Sequence, residues 1–199
     1  MPGFMGELRK LGSFSARALE FAILTAARTG DVIGATWAEI DLHEKTWTVP
    51  AARLKGRRGA NRRDHLVPLS AAALAILNGL LSGNAPDGTA YVFAGVDGKP
   101  LSNMALLECL RGLRPGLTVH GFRSCFKDWA AESTSYPNEL SEMALAHVVA
   151  NKVEAAYRRG DMFDKRRRLM ADWSSFAAAN HPTASRSQIV PIRPESRIK

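Results

Sequence analysis

VHGFRSCFKDWAAESTSYPNELSEMALAHVVANKVEAAYRR, residues Val119 to Arg159, is the stretch on which the reading of this chain turns. It carries His120 and Arg123 in an H-x-x-R spacing, then His147, then Tyr157. The composition from Ser124 to Glu132 predicts a helix that begins near His120. An i,i+3 pair then shares one helix face, close to an N-terminus whose unpaired N–H groups favour an anion. An arginine there can hold a phosphate through two parallel hydrogen bonds. His147 closes the next apolar segment, and Tyr157 is flanked by Arg158 and Arg159. A phenol beside two cations ionises more readily, which suits a nucleophile. Taken singly, each residue has a plainer reading: a solvated face, a capping histidine, a core tyrosine. The ordered set is what carries information.

Working outward, ARALEFAILTAAR (16–28) predicts a central helix capped by Ser15, after a short helix over Met1 to Leu11. Arg28 stands at its end with Asp31 close behind. A charge at the end of a buried helix needs a partner or a ligand. Asp31 or Glu39 can supply the former, and a phosphate shared with Arg123 the latter. One or two amphipathic turns are expected over Val32 to Ile40. Thr46 to Val49 and His65 to Val67 predict two strands, each stopped by a proline. Between them, Leu54 to His65 reads as a hairpin with a basic, glycine-containing tip. Lys55 lies near its base, and Arg57, Arg58, Arg62 and Arg63 make the tip either a solvated, mobile loop or, as the net charge of +8 favours, an arm that reaches into a DNA groove.

A helix capped by Ser70 is expected through Leu81, then a third short strand at Tyr91 to Phe93. A helix over Met104 to Arg111, capped by Ser102, follows. Asp161 to Phe176 predicts the last helix, with Leu169, Trp173 and Phe176 as its apolar stripe. Residues 177–199 read as a disordered basic tail. The fold class expected is mainly α with a small antiparallel β-sheet at one edge.

With 199 residues the chain is long enough for one well-packed domain, and an apolar fraction of 46% is ordinary for a globular protein. The formal net charge of +8 is not ordinary and points to a polyanion, most simply nucleic acid. Cys109 and Cys125 form neither a CxxC pair nor a metal-ligand spacing and are expected as buried thiols in a reducing cytoplasm. The five histidines show no metal-binding cluster, so no metal and no cofactor are expected. No apolar run reaches membrane-spanning length.

The order Arg28, Lys55, His120-x-x-Arg123, His147, Tyr157 resembles the active site of the tyrosine recombinases, the phage-integrase family. The segments LTAARTGDVIGATWAEIDL, HLVPLS, TVHGFRSCFKDWAAE and EMALAHVVANKVEAAYRRGD resemble integrases of prophages and genomic islands, so that the likeness spans about residues 15 to 176. It implies a catalytic domain over residues 1–176 that cuts and rejoins DNA through a 3′-phosphotyrosyl bond, without ATP or metal. Tyr157 is then the nucleophile, and Arg28 and Arg123 hold the non-bridging oxygens. Lys55 protonates the leaving 5′-oxygen. His120 and His147 serve the phosphate as proton acceptor or donors, and Asp31 supports the first arginine. The partner implied is double-stranded DNA in the bacterial cytoplasm, at the nucleoid, with no membrane. Homotetramers are expected on DNA and a monomer for this chain alone. The lengthened segment from Lys55 to His65 departs from the family pattern. The N-terminal DNA-binding domains of full-length members are expected to be absent. A type IB topoisomerase-like enzyme and a non-catalytic DNA-binding module are the alternatives.

Overall fold

The computed structural model describes residues 2–54, 63–81, 87–147 and 162–179. The α2 helix (Phe14–Thr25) lies at the centre, with nine residues buried, from Ala16 to Thr25. Ser13, not Ser15, caps it: the Ser13 hydroxyl accepts the Ala16 N–H at 3.2 Å. The helix stops at Thr25, three residues short of Arg28, because Ala26 turns into the left-handed region at φ 50°. Around it pack α1 (Pro2–Lys10), α3 (Thr29–Ile33), α4 (Ala71–Leu80), α5 (Ala105–Leu113) and α8 (Phe163–Ala178). Two further helices, α6 (Gly121–Glu132) and α7 (Asn138–Ala144), pack on each other, and α7 also contacts α8.

The Trp173 side chain of α8 is fully buried and donates its indole N–H to the Ile23 carbonyl of α2 at 2.7 Å. Phe126 and Trp129 of α6 meet Trp173 and Phe176 with ring centroids 5.3 to 5.6 Å apart. Burying one such side chain is worth about 1.5–3 kcal/mol. This aromatic cluster locks the helix carrying Arg123 against the last helix. The expected Leu169, Trp173 and Phe176 stripe therefore faces the core, and the helix runs two residues beyond Phe176.

Three antiparallel strands, β1 (Ile40–Asp41), β2 (Thr46–Val49) and β3 (His65–Pro68), lie in that order. Trp47 pairs with Ile40 on one side and Val67 on the other. The third strand is Ile40–Asp41, starting at the last residue of the span read as helical turns, and Tyr91 to Phe93 is not part of the sheet. Tyr91 makes one isolated bridge to Thr36, and the Val92 N–H donates to the Ala35 carbonyl at 2.8 Å. Ser102 does not cap α5 through its side chain: Met104 holds the N-cap position, without a side-chain bond. Ser70 does cap α4, accepting the Ala73 N–H at 3.3 Å. The expected tail lies outside the described residues from residue 180 onward.

Candidate active site

Two helix ends meet at Arg123. At the end of α2, the Ala27 N–H returns to the Ala22 carbonyl and the Ala26 N–H to Ile23, both at 3.2 Å. At the end of α7, the His147 N–H returns to Glu142 at 2.9 Å and the Ala146 N–H to Met143 at 3.1 Å. Both are the paired 6→1 and 5→2 bonds of a Schellman turn. Both place an alanine, Ala26 or Ala146, at positive φ, near 50°, where glycine is the unstrained residue. Each turn aims a carbonyl at the arginine. Arg123 donates from Nη1 to the Ala26 carbonyl and from Nη2 to the Leu145 carbonyl, the latter at 2.8 Å. Its Nη2 also lies 3.3 Å from Nε2 of His147.

Arg123 is 6% exposed, and its Nε has no hydrogen-bond partner among the described residues. Three of its five N–H donors are used by the two carbonyls and His147. Burial, then the neighbouring charge of Arg28, push its pKa down to about 10, while Asp31 acts in the opposite sense. The guanidinium therefore stays charged at neutral pH. A buried cation of this kind is held by carbonyl dipoles and stands ready for an anion.

Arg28 sits at the N-cap of α3 in extended backbone, and its Nη1 is 3.9 Å from Oδ2 of Asp31. Of the two acidic partners considered for Arg28, the structure selects Asp31. Glu39 instead accepts from Arg53 and, at 3.0 Å, from the Trp47 indole. Burial raises the pKa of the Asp31 carboxyl, against the pull of Arg28, Arg53 and Arg123. Arg28, Asp31 and Arg123 line one small cavity together with Thr25, His65 and Ala146.

His120 occupies the exposed N-cap position of α6, one turn ahead of Arg123, as the H-x-x-R spacing requires. His147 follows the α7 turn, with Nδ1 2.6 Å from Oε2 of Glu142. The Glu142 carboxylate also accepts from Lys127, which donates to Asn138 Oδ1 at 2.6 Å as well. Burial pushes Glu142 up, but hydrogen bonds from Lys127 and His147, and their charges, outweigh it and hold the carboxyl below its ordinary value.

Sequence reasoning missed Glu142, Lys127 and His65. Lys127 had a signal, four residues beyond Arg123 and seven beyond His120 on one helix face. Glu142 had none until the turn at Ala146 was known. His65 grips the same turn: its Nε2 is 3.2 Å from the Ala144 carbonyl.

Among the expected site residues, the structure brings together Arg28, Asp31, Arg123 and His147. Arg63 is exposed just before β3. Lys55, Arg57, Arg58, Arg62 and Tyr157 lie outside the described residues. Neither cysteine is buried as expected: Cys109 is partly covered and Cys125 exposed. Among the described residues there is no group of three or more His, Cys, Asp or Glu suited to a metal ion. No helix there is long and apolar enough to cross a membrane.

The family model for the phage integrase family matches residues 4–162. The chain belongs to the phage integrase family. Its relatives include the prophage integrase IntA of Escherichia coli (strain K12), 35% identical over 187 residues, 90% of this chain and 43% of that protein. Prophage integrase IntZ of the same strain is 34% identical, over 87% of this chain and 42% of its own length. This integrase-family chain thus spans about two-fifths of the length of those relatives. Among solved structures, the XerA recombinase superposes with a TM-score of 0.57 over 82% of this chain and 60% of its own, at 15% identity, so the likeness is one of fold. The expected class, helical with a small antiparallel sheet, is the fold observed.

Proposed function

We propose that this chain is the catalytic domain of a site-specific DNA recombinase that cuts and rejoins strands through a covalent phosphotyrosine. The observation that carries the reading is the convergence of Arg28, Arg123 and His147 at two helix ends, in a family member of net charge +8. A scissile phosphodiester repels nucleophiles by its negative charge. Arg28 and Arg123 neutralise it and stabilise the charge that grows on the non-bridging oxygens as the phosphorus becomes five-coordinate. His147 and His120 hydrogen-bond the same oxygens.

Tyr157 attacks phosphorus, its phenolic proton passing to a base beside the phosphate, for which His120 is the candidate. Lys55 gives its proton to the departing 5′-oxygen. The 3′-phosphotyrosyl bond conserves the energy of the phosphodiester, so a second 5′-hydroxyl can reseal the strand by the reverse steps. Asp31 orients Arg28 through its carboxylate. Double-stranded DNA is the substrate, docked on the basic hairpin with Arg57, Arg58, Arg62 and Arg63. Tetramers assemble on that DNA in the cytoplasm, and the chain alone is monomeric.

A 5′-bridging phosphorothiolate tests both the chemistry and the acid. Its thiolate leaves without protonation and cannot easily reseal, so cleavage accumulates as a protein–DNA adduct. Duplexes randomised around one such linkage should yield an adduct with the native chain. Lys55→Ala should lose cleavage of ordinary DNA by about 10²-fold or more and regain it on the sulfur substrate. Failure of sulfur to rescue the variant would remove Lys55 from the acid's role. Absence of any adduct with the native chain would contradict the recombinase reading.

A further inference from the structure

We propose that Glu142 is a positioning residue for strand cleavage, fixing the ring orientation and tautomer of His147 from behind. The inference rests on the reading above, in which His147 serves the scissile phosphate. Glu142 holds His147 twice. Its backbone carbonyl accepts the His147 N–H at 2.9 Å, and its carboxylate Oε2 meets Nδ1 at 2.6 Å. The other carboxylate oxygen is taken by Lys127 of α6, which also donates to Asn138 at the start of α7. The carboxylate is therefore clamped between two helices and cannot swing away without breaking both contacts.

The donor and acceptor chemistry then fixes the proton. A carboxylate only accepts, so the hydrogen between it and the ring belongs to Nδ1. A guanidinium only donates, so Arg123 Nη2, 3.3 Å from Nε2, requires a lone pair on that nitrogen. Together they specify neutral imidazole with Nδ1–H, the form a free histidine side chain favours less. Nε2 is left facing the arginine that binds the phosphate. When the phosphate arrives, Nε2 takes a proton from solvent and becomes a donor to a non-bridging oxygen. The carboxylate behind Nδ1 supports the resulting imidazolium, as orienting carboxylates do elsewhere. Among the described residues, the charged groups around the ring are Arg123 and Lys127 from α6 and Glu142 from α7, with Arg28 and Asp31 of the adjoining turn beyond Arg123.

The test combines imidazole ¹⁵N spectra with adduct formation, using the whole chain. The native His147 signal, assigned by its loss in His147→Gln, should show the Nδ1–H form at alkaline pH. Glu142→Ala should move it toward Nε2–H and slow adduct formation by about tenfold or more, the scale of one lost charge-assisted hydrogen bond. Glu142→Gln can still accept from Nδ1 and should keep the tautomer. Having lost the charge, it should form adduct more slowly than the native chain while keeping the Nδ1–H signal. A native His147 in the Nε2–H form would overturn the proposal. So would a Glu142→Ala chain that forms adduct at the native rate and pH dependence, while the recombinase reading stood. A native chain with the Nδ1–H tautomer and no adduct would overturn the role in cleavage through the recombinase reading alone, leaving the clamp itself intact.

Discussion

Arg123 does two jobs with one guanidinium. It closes the ends of α2 and α7 by binding the Ala26 and Leu145 carbonyls, and it offers a charge to the cavity shared with Arg28. A lysine keeps the charge but not the planar fork, so it cannot reach both carbonyls and a phosphate together. Arg123→Lys is predicted to lose about 1–3 kcal/mol of stability, from a buried carbonyl left without its donor. It should also lose about 10²–10³ in cleavage rate. Urea unfolding beside adduct kinetics checks both, and a variant as stable as the native chain would show that the bridge is not structural. The place of His120 one turn ahead of Arg123 on α6 was legible in the H-x-x-R spacing because a helix repeats on itself every three to four residues. The role of Glu142 was not legible. Its contact with His147 depends on a left-handed Ala146, and alanine gives no warning of that conformation.

Helix ends, more than helix bodies, build this site. The Schellman turn at Ala146 sets the direction of both the Leu145 carbonyl and the His147 ring. An L-residue held at φ 51° is strained by about 1–2 kcal/mol, less what a glycine would lose in the unfolded chain. Ala146→Gly is therefore predicted to stabilise the fold by about 0.5–1 kcal/mol, and Ala146→Val to destabilise it. Thermal unfolding of the pair measures this; the reverse order would mean that the turn is not the constraint.

The Glu142 clamp between α6 and α7 has its own pH signature. Its carboxyl is held below the ordinary value, so its contribution is complete above the unfolded value of roughly 4.3 and fades as pH falls through the lower folded one. Glu142→Gln should thus be less stable than the native chain at neutral pH, with the gap closing in acid. Unfolding free energies measured along a pH series test it, and a gap that widens in acid would reverse the sign. Where the sequence misled, the cause was local. Tyr91 to Phe93 has strand composition, yet it bridges the Thr36 segment, so composition had no partner strand to act on. Ile40–Asp41 is too short for alternation to show, and it pairs because Trp47 is fully buried beside it.

Across the whole molecule, residues far apart in sequence reach one place because a buried α2 anchors them. Arg28 follows its C-terminal end, α8 ties to it through Trp173, and the Phe126 and Trp129 cluster carries Arg123 alongside. The charge of +8 suits a chain that meets a polyanion, and the ordered set from Arg28 to Tyr157 gave that charge a chemistry. The order of those residues was readable from sequence alone. The packing of Arg123 against His147 was not, since it rests on which carbonyls two turns expose. The most direct measurement is peptide mapping of the trapped adduct. After nuclease and trypsin digestion, mass spectrometry should find a nucleotide 3′-phosphate on the peptide Val153–Arg158, at Tyr157, and nothing in Tyr157→Phe. A phosphonucleotide on any other residue, or an adduct that survives Tyr157→Phe, would contradict the account.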